Sequence, residues 1–300
     1  MPSLIKLNLE CLAIGGSDAK SWFHNFCTAD IKRLALGDST EAFVLDAKGK
    51  TLGWGTVVAE PESLLLIMSP GQIHQLSTHL ERYVIREDVA FVDASEQFEW
   101  MFVFGEDANH WLQQVAAIEP ATSGATTATI AGQTVQVVST QMFGPGLLLR
   151  LIAGDMHDAW LSSLNLVSAT LNEFKSHRIQ HRCPEFGTDF DESALPQELR
   201  RDDLAISFDK GCYLGQETVA RIDALGHVNR VLVVLRSTSA ETFQEGAELT
   251  LDGSVVGTLT SVASDAEHAG SAVALALTKR KAAKPGTVLQ VGGVECEVIG

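Results

Sequence analysis

The stretch of this sequence with the most chemical potential is Asp209-Lys210-Gly211-Cys212-Tyr213-Leu214-Gly215-Gln216-Glu217. A thiol with a cation two residues away can have its thiolate stabilised. Gly211 and Gly215, on either side of Cys212 and Tyr213, permit tight backbone turns and the close approach of a ligand. The continuation Gln216-Glu217-Thr218-Val219-Ala220-Arg221 reads as the opening of a helix with an acid in its first turn. On residue types alone, Cys212 is either a packed small hydrophobe or a reactive group. Lys210 is a modulator of that thiol, an anion contact or an exposed lysine. Tyr213 hydrogen-bonds a ligand or is a buried structural tyrosine. Gln216 and Glu217 are placed to cap the helix they begin, and Arg221 to pair with Glu217 one turn earlier.

Other chemistry-bearing residues form weaker patterns. The five cysteines (Cys11, Cys27, Cys183, Cys212 and Cys296) are odd in number and include no C-x-x-C pair. Neither a disulfide framework nor a cysteine-built zinc or iron–sulfur site is expected from that spacing. The histidines, His177, His181 and His227 among them, lack metal-ligand spacing, so no metal site is expected. A nucleophilic thiol needs a base within hydrogen-bond reach, and His227 downstream of Cys212 fits no recognised pattern. Arg178 with Arg182, and Arg200 with Arg201, form basic pairs suited to a small anion or to surface ion pairs.

The 22 Lys and Arg against 38 Asp and Glu leave a net charge of −16. A field of that sign opposes nucleic-acid backbones and anionic lipids, so neither direct nucleic-acid binding nor membrane attachment is expected. No run approaches the ~18–20 apolar residues of a membrane span, and the first residues lack the pattern of a secretory signal. A cytoplasmic monomer is the expectation.

The elements that must position these residues read as α+β. Ser17-Asp18-Ala19 before Trp22, Phe23 and Phe26 predicts an N-capped amphipathic helix. Strands are predicted over 41–46 and 51–59, around a turn at Ala47-Lys48-Gly49-Lys50, and again over 64–68. Helical spacing follows over 70–84. Strands at 89–92 and 100–104 precede a helix over 108–117, and 120–133 reads as a loop and weak strand. Strands over 134–138 and 147–151 lead to helices near 155–164 and 168–173. Short strands at 228–235, 247–251, 255–262, 272–277 and 294–299 predict a small antiparallel barrel or sandwich, with a boundary near 236–245.

With those residues in view, Lys210-Gly211-Cys212-Tyr213-Leu214-Gly215-Gln216-Glu217 resembles the K-G-C-Y-x-G-Q-E segment of the YgfZ family, relatives of the glycine cleavage T-protein. Ile14-Gly15-Gly16-Ser17-Asp18-Ala19 and Cys27-Thr28-Ala29-Asp30 look like the family's G-x-D and T-x-D elements. Asp46-Ala47-Lys48-Gly49-Lys50 is similar to its D-x-x-G-K/R hairpin, and 80–92 resembles its L-x-x-Y…V helix and strand. Residues 178–187 lie where the family has an R-x-E-x-G-x-P-like turn. The resemblance covers nearly the whole chain and is weakest over 105–165. It implies a T-protein-like ring of three α+β units around a central folate cavity, ending in a C-terminal antiparallel β-barrel. Residues 1–235 would form the folate-binding region, as two interleaved units, and 236–300 the barrel. It also implies tetrahydrofolate or a derivative as cofactor, iron–sulfur client or assembly proteins as partners, and a role in assembling or repairing their clusters. Any effect on tRNA modification would be indirect. Cys212 becomes the functional thiol, with Lys210 beside it.

The chain departs from the T-protein at two places. The T-protein sets an Asp just after its glycine-containing hairpin for the transfer of a methylene to tetrahydrofolate. Here that place falls on Gly53 and Trp54, which cannot move a proton. A tetrahydrofolate-dependent aminomethyl transferase or demethylase is therefore the alternative reading, and it would have to use Asp46. Folate binders also hold the aminopyrimidine edge with a carboxylate, which accepts two N–H donors. The matching residue is Gln180, and the family's neighbouring Gly is Arg182, set either to clash with the ligand or to bind its glutamate tail. Phe174 stands where the family carries a stacking aromatic, or is a core residue. The expected folate contacts are Phe174, Arg178, Gln180, Tyr213 and Arg221, with Gly211, Gly215, Gln216 and Glu217 completing the motif.

Overall fold

A computed structural model describes every residue except 120–122, 157, 238–242, 266, 267 and 269. The chain divides into two compact units. The first comprises residues 1–45, 52–169 and 203–214; the second comprises 46–51, 170–202 and 215–300.

The first unit is strand-rich because its apolar residues come in short runs bounded by polar turns. In chain order its elements are β1 (Ser3–Leu7), β2 (Glu10–Gly15), α1 (Ala19–Phe23), β3 (Ser39–Leu45), β4 (Thr51–Ala59), β5 (Ser63–Met68), α2 (Ile73–Glu81) and β6 (Ala90–Asp93). There follow β7 (Phe98–Phe104), α3 (Ala108–Ala116), β8 (Gly124–Ile130), β9 (Gln133–Ser139), β10 (Gly146–Ile152), α4 (Asp158–Ser163) and β11 (Val167–Ser168). They build a five-stranded sheet of order β3-β4-β5-β2-β6 and a six-stranded sheet of order β11-β1-β7-β10-β9-β8. β5 is buried along Leu64–Met68, so it lacks the alternation of a half-exposed strand. Trp22, Phe23, Leu66 and Leu76 pack on the first sheet. Trp111, Leu112 and Trp160 pack on the second.

Several boundaries differ from the sequence-based expectation for local reasons. α1 is only five residues long, and Asp18 at its N-cap position makes no side-chain cap. Its carboxylate instead accepts the Asp88 amide at 2.9 Å. α2 begins at Ile73 because the Glu10 carboxylate takes up the amides of Gly71, Gln72 and Ile73 at 2.8–2.9 Å. That carboxylate serves as a helix cap supplied from β2. The stretch expected to be a loop and weak strand contains β8, which pairs antiparallel with β9 over all seven residues; residues 120–122 lie outside the described residues. β1 and β2 escaped the sequence reading altogether.

The second unit contains α5 (Leu171–Gln180), α7 (Gln216–Leu225) and strands β12 (Arg230–Ser237), β13 (Glu248–Leu251), β14 (Ser254–Ser264), β15 (Ala272–Lys279), β16 (Val288–Val291) and β17 (Val294–Val298). The single turn α6 (Asp202–Ala205) straddles the division. The six strands close into an antiparallel barrel of order β12-β15-β14-β13-β16-β17, which leaves no sheet edge exposed for pairing. Val233, Leu235, Leu249, Leu259, Leu289 and Val298 fill it. β12 spans residue 235, so residues on both sides of that point belong to the barrel. Residues 238–242, within the stretch where a boundary is expected, lie outside the described residues.

α5 opens with a reciprocal cap: Glu173 N donates to Thr170 Oγ1 at 3.2 Å and Thr170 N to Glu173 Oε2 at 2.7 Å. The helix then runs to Gln180, past the expected end at 173. It delivers Arg178, 2% exposed, to the barrel. Arg178 Nη1 donates to Cys183 O at 2.7 Å and to Asp189 Oδ2 at 2.5 Å, and Nη2 donates to Ser261 Oγ at 2.7 Å. Asp189, 1% exposed, also accepts Thr260 Oγ1 at 2.6 Å and Glu185 N at 2.9 Å. Arg178→Met leaves that buried carboxylate without its cation. The expected loss is about 3–5 kcal/mol, read as a lower denaturant midpoint; an unchanged midpoint would deny the pair its bracing role.

Candidate functional site

The segment 203–214 is fastened to the loop after α1 by backbone and side-chain bonds inside the first unit. Thr28 Oγ1 accepts Phe43 N at 2.9 Å and donates to Ala205 O at 2.5 Å. Ser207 N donates to Thr28 O, and Leu214 N to Asn25 O, each at 2.9 Å. Between these two ties lies Lys210, 7% exposed. Its ammonium donates to Ala29 O at 2.7 Å, to Cys27 O at 2.8 Å and to His24 O. The Tyr213 ring lies 4.9 Å from the same nitrogen, within range of a cation–π contact. All three donors of the ammonium are thus engaged.

Burial pulls Lys210 below the ordinary lysine pKa, against the opposing influence of Cys27 and Asp30. His24 is likewise held toward its neutral form by burial, and then by Lys210 and Lys32. Burial raises the Cys27 thiol to about 11, against the attraction of Lys210. It raises Cys11 to about 12 and Cys296 to about 11. Cys183 is buried as well, and Cys212 alone among the five cysteines is exposed. Tyr213 is 8% exposed, and burial pushes its phenol upward. The segment therefore roots Lys210 and Tyr213 in the unit and displays Cys212 between them.

The meeting of Cys27-Thr28-Ala29-Asp30 with Lys210 was not predicted. Both stretches stood out in the sequence, but nothing in their spacing showed that one is the receptor for the other.

Beyond Tyr213 the chain enters the second unit. Gly215 is the N-cap residue of α7, with φ +82°, and so brings no side chain of its own to the cap. Glu217 lies in the first turn as expected, but Arg221 forms no ion pair with it among the described residues; both are exposed. In the hairpin turn, Asp46 Oδ1 accepts the amides of Lys48 and Lys50, each at 2.8 Å.

On α5, Phe174 is half-buried, and the Nη groups of Arg178 are engaged within the protein as described. Gln180 Nε2 donates to Asp265 Oδ1 at 3.1 Å. Asp265, 5% exposed, also accepts Arg236 Nε at 2.8 Å and lies 3.1 Å from His268 Nδ1. A carboxylate can only accept, so it fixes the amide orientation and leaves Gln180 Oε1 as the acceptor. Arg182 follows the helix in a left-handed conformation, φ +52°.

Gly53 and Trp54, where the resemblance puts the T-protein acid, are packed against their neighbours. A Cβ on Gly53 would lie 2.5 Å from Leu76 Cδ1, and the Trp54 indole donates to Glu41 Oε2 at 3.2 Å. Lys210, Gly211, Cys212 and Tyr213 belong to the first unit; Phe174, Arg178, Gln180, Gly215, Gln216, Glu217 and Arg221 belong to the second. Among the described residues, no group of three or more His, Cys, Asp or Glu is placed to hold a metal ion. No helix among them is long and apolar enough to cross a membrane.

No protein-family model matches the chain. It is similar to the tRNA-modifying protein YgfZ of Aliivibrio fischeri, 28% identical over 229 residues, which cover 75% of this chain and 67% of that one. It is similar to an aminomethyltransferase of Herpetosiphon aurantiacus, 24% identical over 286 residues, covering 93% and 78% respectively. Its fold is that of the glycine cleavage system aminomethyltransferase T from Bartonella henselae. That crystal structure superposes with a TM-score of 0.82 at 16% identity, over 100% of this chain and 85% of the other.

Two outcomes follow from the burial of the thiols. In the native protein one cysteine, Cys212, reacts rapidly with a thiol reagent, and Cys212→Ala removes that reaction. Lys210→Met, which frees the segment, exposes Cys27 to the same reagent. A second fast-reacting thiol in the unaltered protein would contradict this arrangement. The folded state also keeps protons on Cys11, Cys27 and Cys296 that an unfolded chain releases near pH 9.0. Stability is therefore complete below pH 9 and falls as pH rises from 9 toward 11. Urea unfolding at the two ends of that window measures the loss, and Cys27→Ala reduces it.

Proposed function

We propose that this chain, a YgfZ-type protein with the aminomethyltransferase fold, is a folate-binding accessory factor that supports iron–sulfur proteins through Cys212. The observation that carries the reading is the display of one exposed thiol on a segment whose neighbouring lysine and tyrosine are buried. Such a thiol is open to a partner protein while its backbone is held still. Lys210 acts by positioning the segment, since its donors are engaged by carbonyls.

Folate binding is supported by the fold and by Gln180. Its oriented carboxamide oxygen supplies one acceptor for an aminopyrimidine N–H, where a carboxylate would supply two. Phe174 on the same helix offers a ring for stacking, and Arg178 braces that helix from behind. Tetrahydrofolate, when bound, would bring one-carbon chemistry; the chain's own part is to hold it. A transfer needs an acid that Gly53 and Trp54 do not provide, and Asp46 is occupied in its turn. The aminomethyl-transfer reading therefore stands second. The tRNA modification named for the relatives is reached through client enzymes, because a charge of −16 repels RNA.

Calorimetric titration with tetrahydrofolate tests the cofactor, and expression of Cys212→Ala in cells lacking the protein tests the thiol. Binding is expected to weaken about tenfold in Gln180→Ala through loss of one hydrogen bond. Cys212→Ala is expected to bind folate normally and to leave iron–sulfur enzymes underactive. Full enzyme activity with Cys212→Ala would remove the role given to the thiol, and absent folate binding would remove the cofactor.

A further inference from the structure

The hairpin turn and α7 converge within the second unit. The turn 46–51 packs against α7: a Cβ on Gly49, φ +79°, would lie 2.6 Å from Thr218 Cβ and 3.1 Å from Gly215 O. Thr218 Oγ1 donates to Lys48 O at 2.8 Å. A residue with a side chain at 49 would push the hairpin off the helix, so the glycine sets the distance between them. The junction opens into a cavity of about 470 Å³ whose lining includes Lys48, Lys50, Arg221, His227, Thr218 and Asn229.

Every ionisable side chain in that lining is basic, in a chain of net charge −16. Among the described residues, neither Lys48 nor Arg221 has an ion-pair partner. Lys50 Nζ donates to Ser193 O, which anchors it and leaves two N–H groups. Asp46, the acid nearest in sequence, turns its carboxylate to the amides of Lys48 and Lys50. His227 Nδ1 lies 2.9 Å from Leu225 O, which fixes a ring proton on that nitrogen. Uncompensated like charges around one concavity repel one another and attract a counter-ion.

We propose that this cavity binds a small organic phosphate, with Lys48, Lys50 and Arg221 on the phosphoryl group. Arg supplies a planar fork matched to phosphate oxygens, and the lysines act as point charges. A phosphate monoester carries a charge near −2 at neutral pH, which three cations meet more fully than a single carboxylate would require. The volume lies within the range of small-molecule pockets, so it accommodates an organic body attached to the anion. The site takes Arg221, expected from the sequence among the folate contacts, and joins it to the hairpin instead; Gln180 and Phe174 lie on α5, and the site would stand if no folate bound.

The test is an isotope-labelled full-length chain titrated with inorganic phosphate, with AMP and with adenosine, followed by backbone amide shifts. Both phosphate probes are expected to give saturable shifts at 48–50 and 218–229 at about 0.15 M salt, AMP at lower concentration, and adenosine none. Lys48→Ala and Arg221→Ala are each expected to weaken AMP binding about tenfold, and Lys284→Ala to leave it unchanged. Both altered residues are exposed, and the remaining amide shifts verify an intact fold. No saturable shifts with either phosphate probe, equal shifts from adenosine, or binding indifferent to Lys48 and Arg221 would overturn the site. Tighter binding of tRNA than of AMP through the same residues would overturn the small-molecule assignment.

Discussion

A lysine ammonium taken out of water must be met by acceptors on nearly every side, because an unpaired buried charge costs several kcal/mol. In the first unit this requirement falls on Lys210, and the acceptors are the carbonyls of His24, Cys27 and Ala29. Three carbonyls can converge on one nitrogen only if the loop after α1 turns as it does. Thr28 sets that turn through its bonds to Phe43 and Ala205. The segment that carries Cys212 is thus held by a buried charge that three carbonyls meet. Its thiol is presented by backbone fixed on both sides.

The five cysteines show how burial separates residues of one type. Cys11, Cys27 and Cys296 lie where a thiolate would be unsolvated, and their thiols hold the proton well above its ordinary range. Even the Lys210 ammonium, acting on Cys27, does not outweigh that desolvation. Cys183 fills the turn after α5 and offers its carbonyl to Arg178. Cys212 has none of this cover. The second unit treats its buried charges as the first treats Lys210. Arg178 meets Asp189, and Asp265 gathers Arg236, His268 and Gln180. In each case the buried carboxylate also determines what a neighbouring side chain has left to offer.

Most of the strand pattern was legible because it rests on local signals: apolar runs, and glycine at the β3–β4 turn. The misjudged boundaries were decided by distant partners. Glu10 starts α2 from another strand, and Asp88 draws the Asp18 carboxylate away from α1. At the site, the sequence singled out the segment from Lys210 to Glu217 and the elements that resemble a known family. It expected Arg221 to pair with Glu217, whereas Arg221 lines the cavity beside the hairpin. Spacing of four along a helix permits an ion pair but does not compel one at the surface.

By itself, then, the sequence determined the α+β class, a C-terminal run of short strands suited to a barrel or a sandwich, and the stretch in which an unusual thiol resides. These depend on composition and short-range periodicity, which any window of the chain reveals; that the strands close as a barrel was implied by the family resemblance and is seen in the structure. The tertiary structure alone decided that Lys210 is a buried clamp, that Gln180 is oriented by Asp265, and that two lysines of a hairpin share a cavity with Arg221. Each of those facts depends on burial and on partners far along the chain. Burial changes the energy of a charge by more than its identity does, and no local reading of residue types contains it.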